Sequence, residues 1–83
     1  MKILVTGGLG FIGINFIIRN LKRKNISILN LDKEGYSSNL KFHYLIKKYK
    51  NYSYIKFDLK TEKGLLDIIK EFKPTNIINF AAE

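Results

Sequence analysis

Apolar residues fall into four short runs, and between the runs they recur every three or four positions. Lys2–Thr6 (KILVT), Ile26–Leu31 (ISILNL), Tyr52–Phe57 (YSYIKF) and Asn76–Phe80 (NIINF) have the composition of strands. The first run shows no polar alternation, the mark of a strand buried on both faces. From Gly10 to about Lys24, the positions Phe11, Ile14, Ile18 and Leu21 form one helical face. Arg19, Lys22, Arg23 and Lys24 suit the negative end of its dipole, and Asn25 is a helix stop. Lys33 to Asn39 is a turn-rich loop. A short helix over Leu40–Lys50 places Leu40, Tyr44 and Leu45 together. Thr61 caps a third helix, in which Leu65, Ile68, Ile69 and Phe72 follow i, i+3, i+4, i+7; Pro74 ends it. Strands alternating with amphipathic helices predict an α/β fold, a parallel sheet flanked by helices on both faces.

The first strand runs directly into Thr6-Gly7-Gly8-Leu9-Gly10-Phe11-Ile12-Gly13, which contains G-x-x-G-x-x-G. Gly7 permits a tight turn, Gly10 lets backbone approach a pyrophosphate, and Gly13 allows close helix packing. Unpaired N–H groups at the helix start, with the dipole behind them, hold phosphate charge. A glycine pattern alone is also compatible with a plain turn. Here it has a strand before it, a helix after it, and Asp32 closing the second strand at the expected separation of about 20 residues. A carboxylate there accepts hydrogen bonds from the adenosine ribose hydroxyls and repels a 2′-phosphate, which predicts NAD over NADP; the neighbouring Lys33 softens that preference. The glycine loop lacks a Gly-Lys-Ser/Thr ending, so it is not a P-loop. Asp58 follows the third strand as Asp32 follows the second, either as a helix-entry carboxylate or as a group facing adenine. Phe80, Ala81 and Ala82 close the fourth strand, leaving room for a cofactor or simply packing. The fold expected is half of a Rossmann sheet, four parallel strands in order 3-2-1-4 with right-handed crossovers.

The stretches KILVTGGLGFIG and LNLDKEGYSSNL, the Asp58-Leu59 pair and KPTNIINFAAE together resemble the N-terminal part of the NAD-dependent epimerase/dehydratases, extended short-chain dehydrogenase/reductases. Within that family, Asp32-Lys33…Tyr36…Asn39-Leu40 and the ending Asn79-Phe80-Ala81-Ala82-Glu83 tilt toward the dehydratases that act on dTDP-glucose. Glu34-Gly35 departs from the family pattern, which more often has leucine or serine followed by threonine or glycine. The resemblance implies that Phe11 and Ile12 give backbone contacts to the pyrophosphate of NAD. It implies that Asp32 and Lys33 hold the adenosine ribose, that Asp58 and Leu59 meet adenine, and that Phe80, Ala81 and Ala82 line the nicotinamide side. It also implies a lyase reaction: C4 of the sugar is oxidised, water leaves across C5 and C6, and the hydride returns to C6. The family's catalytic Tyr-x-x-x-Lys and Thr-Asp-Glu groups fall beyond position 83, so no catalytic residue is assigned here. Residues 1–83 are then the N-terminal part of a truncated NAD(P)-binding Rossmann domain. The parent that the resemblance implies is a homodimer taking a sugar nucleotide, dTDP-glucose, and a cytoplasmic location is expected for it. The alternatives are a stand-alone dinucleotide-binding module without catalysis, or the same segment of a UDP-sugar 4-epimerase. Tyr44 and Lys48 have the Tyr-x-x-x-Lys spacing, but that segment lies beside the second and third strands, away from the nicotinamide; the match is coincidence.

Composition narrows the picture further. The 83 residues contain no cysteine and a single histidine, His43, which excludes a disulfide framework, a thiolate metal site and a cysteine nucleophile. No metal site is expected. No apolar run approaches the roughly 20 residues that span a bilayer, and Thr6 to Gly10 interrupt any signal-peptide core. Fifteen Lys+Arg against seven Asp+Glu give a formal charge of +8. The cations stand at the ends and outer faces of the predicted elements, a solvated surface, so no nucleic-acid partner is expected. The fourth strand is expected to be an unprotected edge, which makes the 83-residue chain marginally stable or self-associating.

Overall fold

The computed structural model describes residues 1–34, 39–60 and 63–80. Seven elements follow in chain order: β1 Lys2–Thr6, α1 Phe11–Leu21, β2 Ser27–Asp32, α2 Leu40–Ile46, β3 Tyr52–Lys56, α3 Leu65–Phe72 and β4 Asn76–Asn79. The strands form one parallel sheet in the order β3-β2-β1-β4, as the alternation of strand and helix predicts. The register sets Val5 opposite Asn30 on one side and Ile78 on the other. The expected cap Thr61, together with Tyr36, Ala81 and Ala82, lies outside the described residues.

Each strand of the sheet centre alternates its side chains between two apolar layers. Ile3, Val5, Ile28 and Tyr52 pack against Ile14, Ile17 and Leu21 of α1 and Ile46 of α2. Leu4, Leu29 and Leu31 point the other way, with Phe57, toward Leu65, Ile68, Ile69 and Phe72 of α3. The α3 stripe is the one its spacing predicts. None of its residues is fully buried, so this layer is thinner than the first.

One helix, α2, turns a different face inward from the one predicted, and α1 departs from its predicted face at Phe11 while keeping Ile14 and Leu21 buried. In α1 the buried residues are Gly13, Ile14, Ile17 and Leu21, while Phe11 is exposed and Ile18 half-buried. The helix also stops at Leu21, so that of the four cations only Arg19 stands in its last turn. In α2, Leu40, Tyr44 and Leu45 are exposed, and His43 and Ile46 are buried. A histidine at a core position interrupts the apolar periodicity, so the spacing points to a stripe one residue away from the buried one. α2 ends at Ile46, short of the predicted Lys50. The terminus of α3 has a specific device: Lys73 adopts the left-handed conformation (φ 55°) and its N–H donates to the Ile69 carbonyl, immediately before Pro74.

Candidate functional site

Between β1 and β4 the direction of strand succession reverses, and in open parallel sheets ligands bind outside the carboxyl ends at such a point. There, Thr6 Oγ1 donates to Asn79 Oδ1 at 2.6 Å and the Phe80 N–H donates to the Thr6 carbonyl at 2.7 Å, tying the two strand ends together. The glycine loop leaves from the same edge. Gly7 takes a positive φ of 72°, the turn a side chain would strain, and its N–H donates to the Leu31 carbonyl at the end of β2.

The loop is held from below by β2. Gly8 N–H donates to the Asn30 side-chain oxygen at 3.0 Å, and the Asn30 amide in turn donates to the Tyr52 hydroxyl at 3.2 Å. Leu9, fully buried, donates its N–H to Asp32 Oδ2 at 2.9 Å. The Leu9 carbonyl accepts from both the backbone N–H of Asn39 (2.8 Å) and its side-chain amide (2.9 Å). Space is as tight as the bonding. A Cβ at Gly8 would come within 2.2 Å of Asn30 Oδ1, and one at Gly13 within 2.8 Å of the Gly7 carbonyl oxygen. Gly13 thus seats α1 against the loop backbone itself, where the sequence suggested packing against the sheet. Among the described residues a Cβ at Gly10 would meet nothing closer than 3.6 Å, so none of them demands glycine there. The surface over Gly10 is left open to an approaching group.

That opening leads to the mouth of α1. The helix begins at Gly10 with no side-chain cap and no acidic residue in its first turn. Its first N–H groups have no intrahelical acceptor. Phe11 and Ile12, 76% and 69% exposed, flank them. An uncapped helix start of this kind attracts an anion.

Asp32 is the last residue of β2 and only 7% exposed. Its Oδ1 accepts the Glu34 N–H at 2.7 Å and its Oδ2 that of Leu9. A carboxylate offers about four acceptor positions, so beyond its two bonds to described residues Asp32 has capacity for hydroxyl donors. Asp32 therefore also braces the glycine loop, a part the sequence did not reveal. Lys33 is exposed. After β3, Asp58 is half-buried and its Oδ1 accepts the Lys60 N–H at 2.9 Å; Leu59 is exposed beside it. The Phe80 ring lies 5.5 Å from that of Phe16 on the α1 face.

The fold thus gathers the glycine loop, Phe11, Ile12, Asp32, Lys33, Asp58, Leu59 and Phe80 at one edge of the sheet, with Ala81 and Ala82 outside the described residues. Sequence reasoning missed Gly8, Asn30 and Asn39. Asn30 carried a usable signal: a polar side chain inside an otherwise apolar strand must find a partner. Tyr44 and Lys48 play no part in this edge. Tyr44 is exposed on α2 with Lys47 Nζ 5.4 Å from its ring centre. His43 is buried between Tyr52 and Tyr54, its ring centre 4.3 Å from that of Tyr54 and its Nε2 without a hydrogen-bond partner among the described residues. Burial pushes its pKa below the ordinary 6.5, Lys47 adds to that, and Glu34 and Asp32 oppose it. Among the described residues no three His, Cys, Asp or Glu side chains form a group that could hold a metal, and no helix is long and apolar enough to cross a membrane.

Strand, glycine loop, uncapped helix and a carboxylate closing the second strand, on a 3-2-1-4 parallel sheet, define the first half of a Rossmann fold. The chain belongs to the GDP-mannose 4,6 dehydratase family, whose model matches residues 4–83. It is 34% identical over 83 residues to a dTDP-glucose 4,6-dehydratase of Escherichia coli, covering 100% of this chain and 23% of the relative. Among solved structures it is similar to the dTDP-glucose 4,6-dehydratase of Bacillus anthracis in complex with NAD, with 42% identity and a TM-score of 0.90, over 100% of this chain and 27% of that one. The UDP-Glc/GlcNAc 4-epimerase of Campylobacter jejuni matches with 28% identity and a TM-score of 0.82, over 99% of this chain and 24% of that one. The chain spans about a quarter of the length of the relatives it matches.

Proposed function

We propose that this chain is the NAD-binding N-terminal segment of a sugar-nucleotide 4,6-dehydratase acting on dTDP-glucose. The observation that carries the reading is the junction of the open, uncapped start of α1 with Asp32, held to the same loop through the Leu9 N–H. The residues fit the cofactor: an anion cradle with no Cβ over Gly10, and a carboxylate with acceptor positions to spare. In this reading the backbone at Phe11 and Ile12 holds the pyrophosphate, and Asp32 and Lys33 hold the adenosine ribose. Asp58 and Leu59 adjoin adenine, and Phe80, Ala81 and Ala82 face the nicotinamide side. NAD, when bound, supplies a temporary store for one hydride. The chain's own residues bind and orient it; the acid and base for the sugar are not among them. A homodimeric parent and a cytoplasmic location follow from the family resemblance, and nucleic acid has no part in the reading. The epimerase alternative draws support from the Campylobacter jejuni match, but its identity is below that of the Bacillus anthracis dehydratase.

The test uses the protein at its full natural length. Calorimetry is expected to show NAD binding, weakened about tenfold or more in Asp32→Ala, in line with the loss of hydrogen bonds to a charged acceptor. Incubation with dTDP-glucose is expected to yield the 4-keto-6-deoxy sugar. Conversion of UDP-glucose to its C4 epimer instead would favour the alternative, and equal NAD affinity in the Asp32 variant would remove that residue from the site.

A further inference from the structure

Two residues beyond Asp32, at Glu34, the backbone does something unusual. Glu34 is one of two non-glycine residues with positive φ among those described, at 60°. Its N–H is bound to Asp32 Oδ1, and its carboxylate accepts a 2.5 Å hydrogen bond from the Tyr54 hydroxyl of β3. The Tyr54 ring is itself backed by His43 of α2. Burial, with the Glu34 carboxylate next to it, pushes the Tyr54 hydroxyl far above its ordinary range, so it remains a donor at all working pH values. A second carboxylate is therefore fixed two residues after Asp32, in a turn whose conformation would otherwise be costly.

We propose that Glu34, held by Tyr54, is a specificity residue for the adenosine end of the cofactor: its fixed negative charge rejects a phosphate on the ribose 2′ oxygen. The proposal rests on the NAD reading above and adds to it. Asp32 does not discriminate alone here, because the exposed Lys33 beside it offers a phosphate a cation. Glu34 offsets Lys33. A glutamate free to rotate would swing into solvent and be screened, whereas one pinned by a half-buried phenol keeps its charge at the turn.

Two variants separate charge from position. Glu34→Gln keeps an oxygen for Tyr54 but removes the charge; Tyr54→Phe keeps the charge but releases it. Binding of NAD and of NADP is measured for the full-length protein and both variants, with circular dichroism to verify folding. In Glu34→Gln the NADP-to-NAD affinity ratio is expected to rise about fivefold to tenfold, with NAD affinity little changed, and the gain is expected to shrink between low and high salt. Tyr54→Phe is expected to move the ratio in the same direction by a smaller factor. An unchanged ratio in folded Glu34→Gln, or in Tyr54→Phe should the first variant fail to fold, overturns the proposal while leaving NAD binding intact. Failure of the unsubstituted protein to bind NAD overturns the NAD reading, and this proposal with it.

Discussion

Gly8 and Gly10 stand two residues apart in one loop and answer to different constraints. At Gly8 the chain itself forbids a side chain, since a Cβ would sit 2.2 Å from the Asn30 oxygen that accepts the Gly8 N–H, and 2.6 Å from an Ile17 methyl. At Gly10 none of the described residues does. Gly8→Ala is therefore expected to destabilise the fold by about 2–3 kcal/mol, combining overpacking with a lost buried hydrogen bond. For a domain of this size that lowers the melting temperature by roughly 10 °C or more. Gly10→Ala is expected to leave melting within a few degrees and to weaken NAD binding instead. Thermal denaturation and calorimetry on both variants check the pair, and a Gly10→Ala protein that binds NAD normally would remove the pyrophosphate from that position. The sequence marked Gly7, Gly10 and Gly13 because they match a ligand-binding pattern. It passed over Gly8, whose need for glycine comes from a contact with a strand residue far along the chain, and such contacts leave no local trace.

At the scale of elements, the strands were legible almost to the residue, and their order came with them, because short β-branched runs between helices leave few parallel arrangements. The helices were less so. Its apolar character places Phe11 on the predicted face of α1, yet it stands exposed at the helix mouth, and the core uses Ile17 instead. His43 hid the inner face of α2 in the same way. That histidine has a measurable consequence. Its folded pKa is lowered from 6.5, so on acidification the unfolded chain takes the proton first. Stability is fully present above about pH 6.5, falls as pH drops through that value, and stops falling through this group below the folded pKa. The melting temperature is expected to drop between pH 7 and 5, with part of that drop absent in His43→Phe. Superimposable pH profiles for the two proteins would exclude His43 as a contributor. The end of α3 offers a gain: Lys73 is left-handed with a side chain, so Lys73→Gly is expected to stabilise by about 0.5–1 kcal/mol, read as a rise of several degrees in melting temperature.

At the scale of the whole molecule the sheet has two edges, and they are not equally protected. β3 ends in Lys56, an exposed charge of the kind that discourages strand addition. β4, Asn76-Ile77-Ile78-Asn79, carries no charge, and Ile77 is 57% exposed. Ile77 pairs with Leu4, whose side chain belongs to the α3 layer, and α3 buries none of its own residues fully. An uncharged strand edge and exposed apolar surface therefore coincide at β4, the combination that recruits another strand. The 83-residue chain on its own is expected to self-associate through β4 at micromolar concentrations. Sedimentation velocity is expected to show species larger than the monomer, and Ile77→Lys is expected to return the chain to a monomer. The lysine faces solvent where Ile77 does, so it should cost little folding stability. A chain that sediments as a monomer with a sharp, reversible thermal transition would show that β4 is adequately protected as it stands. Association that persists unchanged in Ile77→Lys would move the contact elsewhere, and the exposed apolar side chains of α2, Leu40, Phe42 and Leu45, would be the next to substitute.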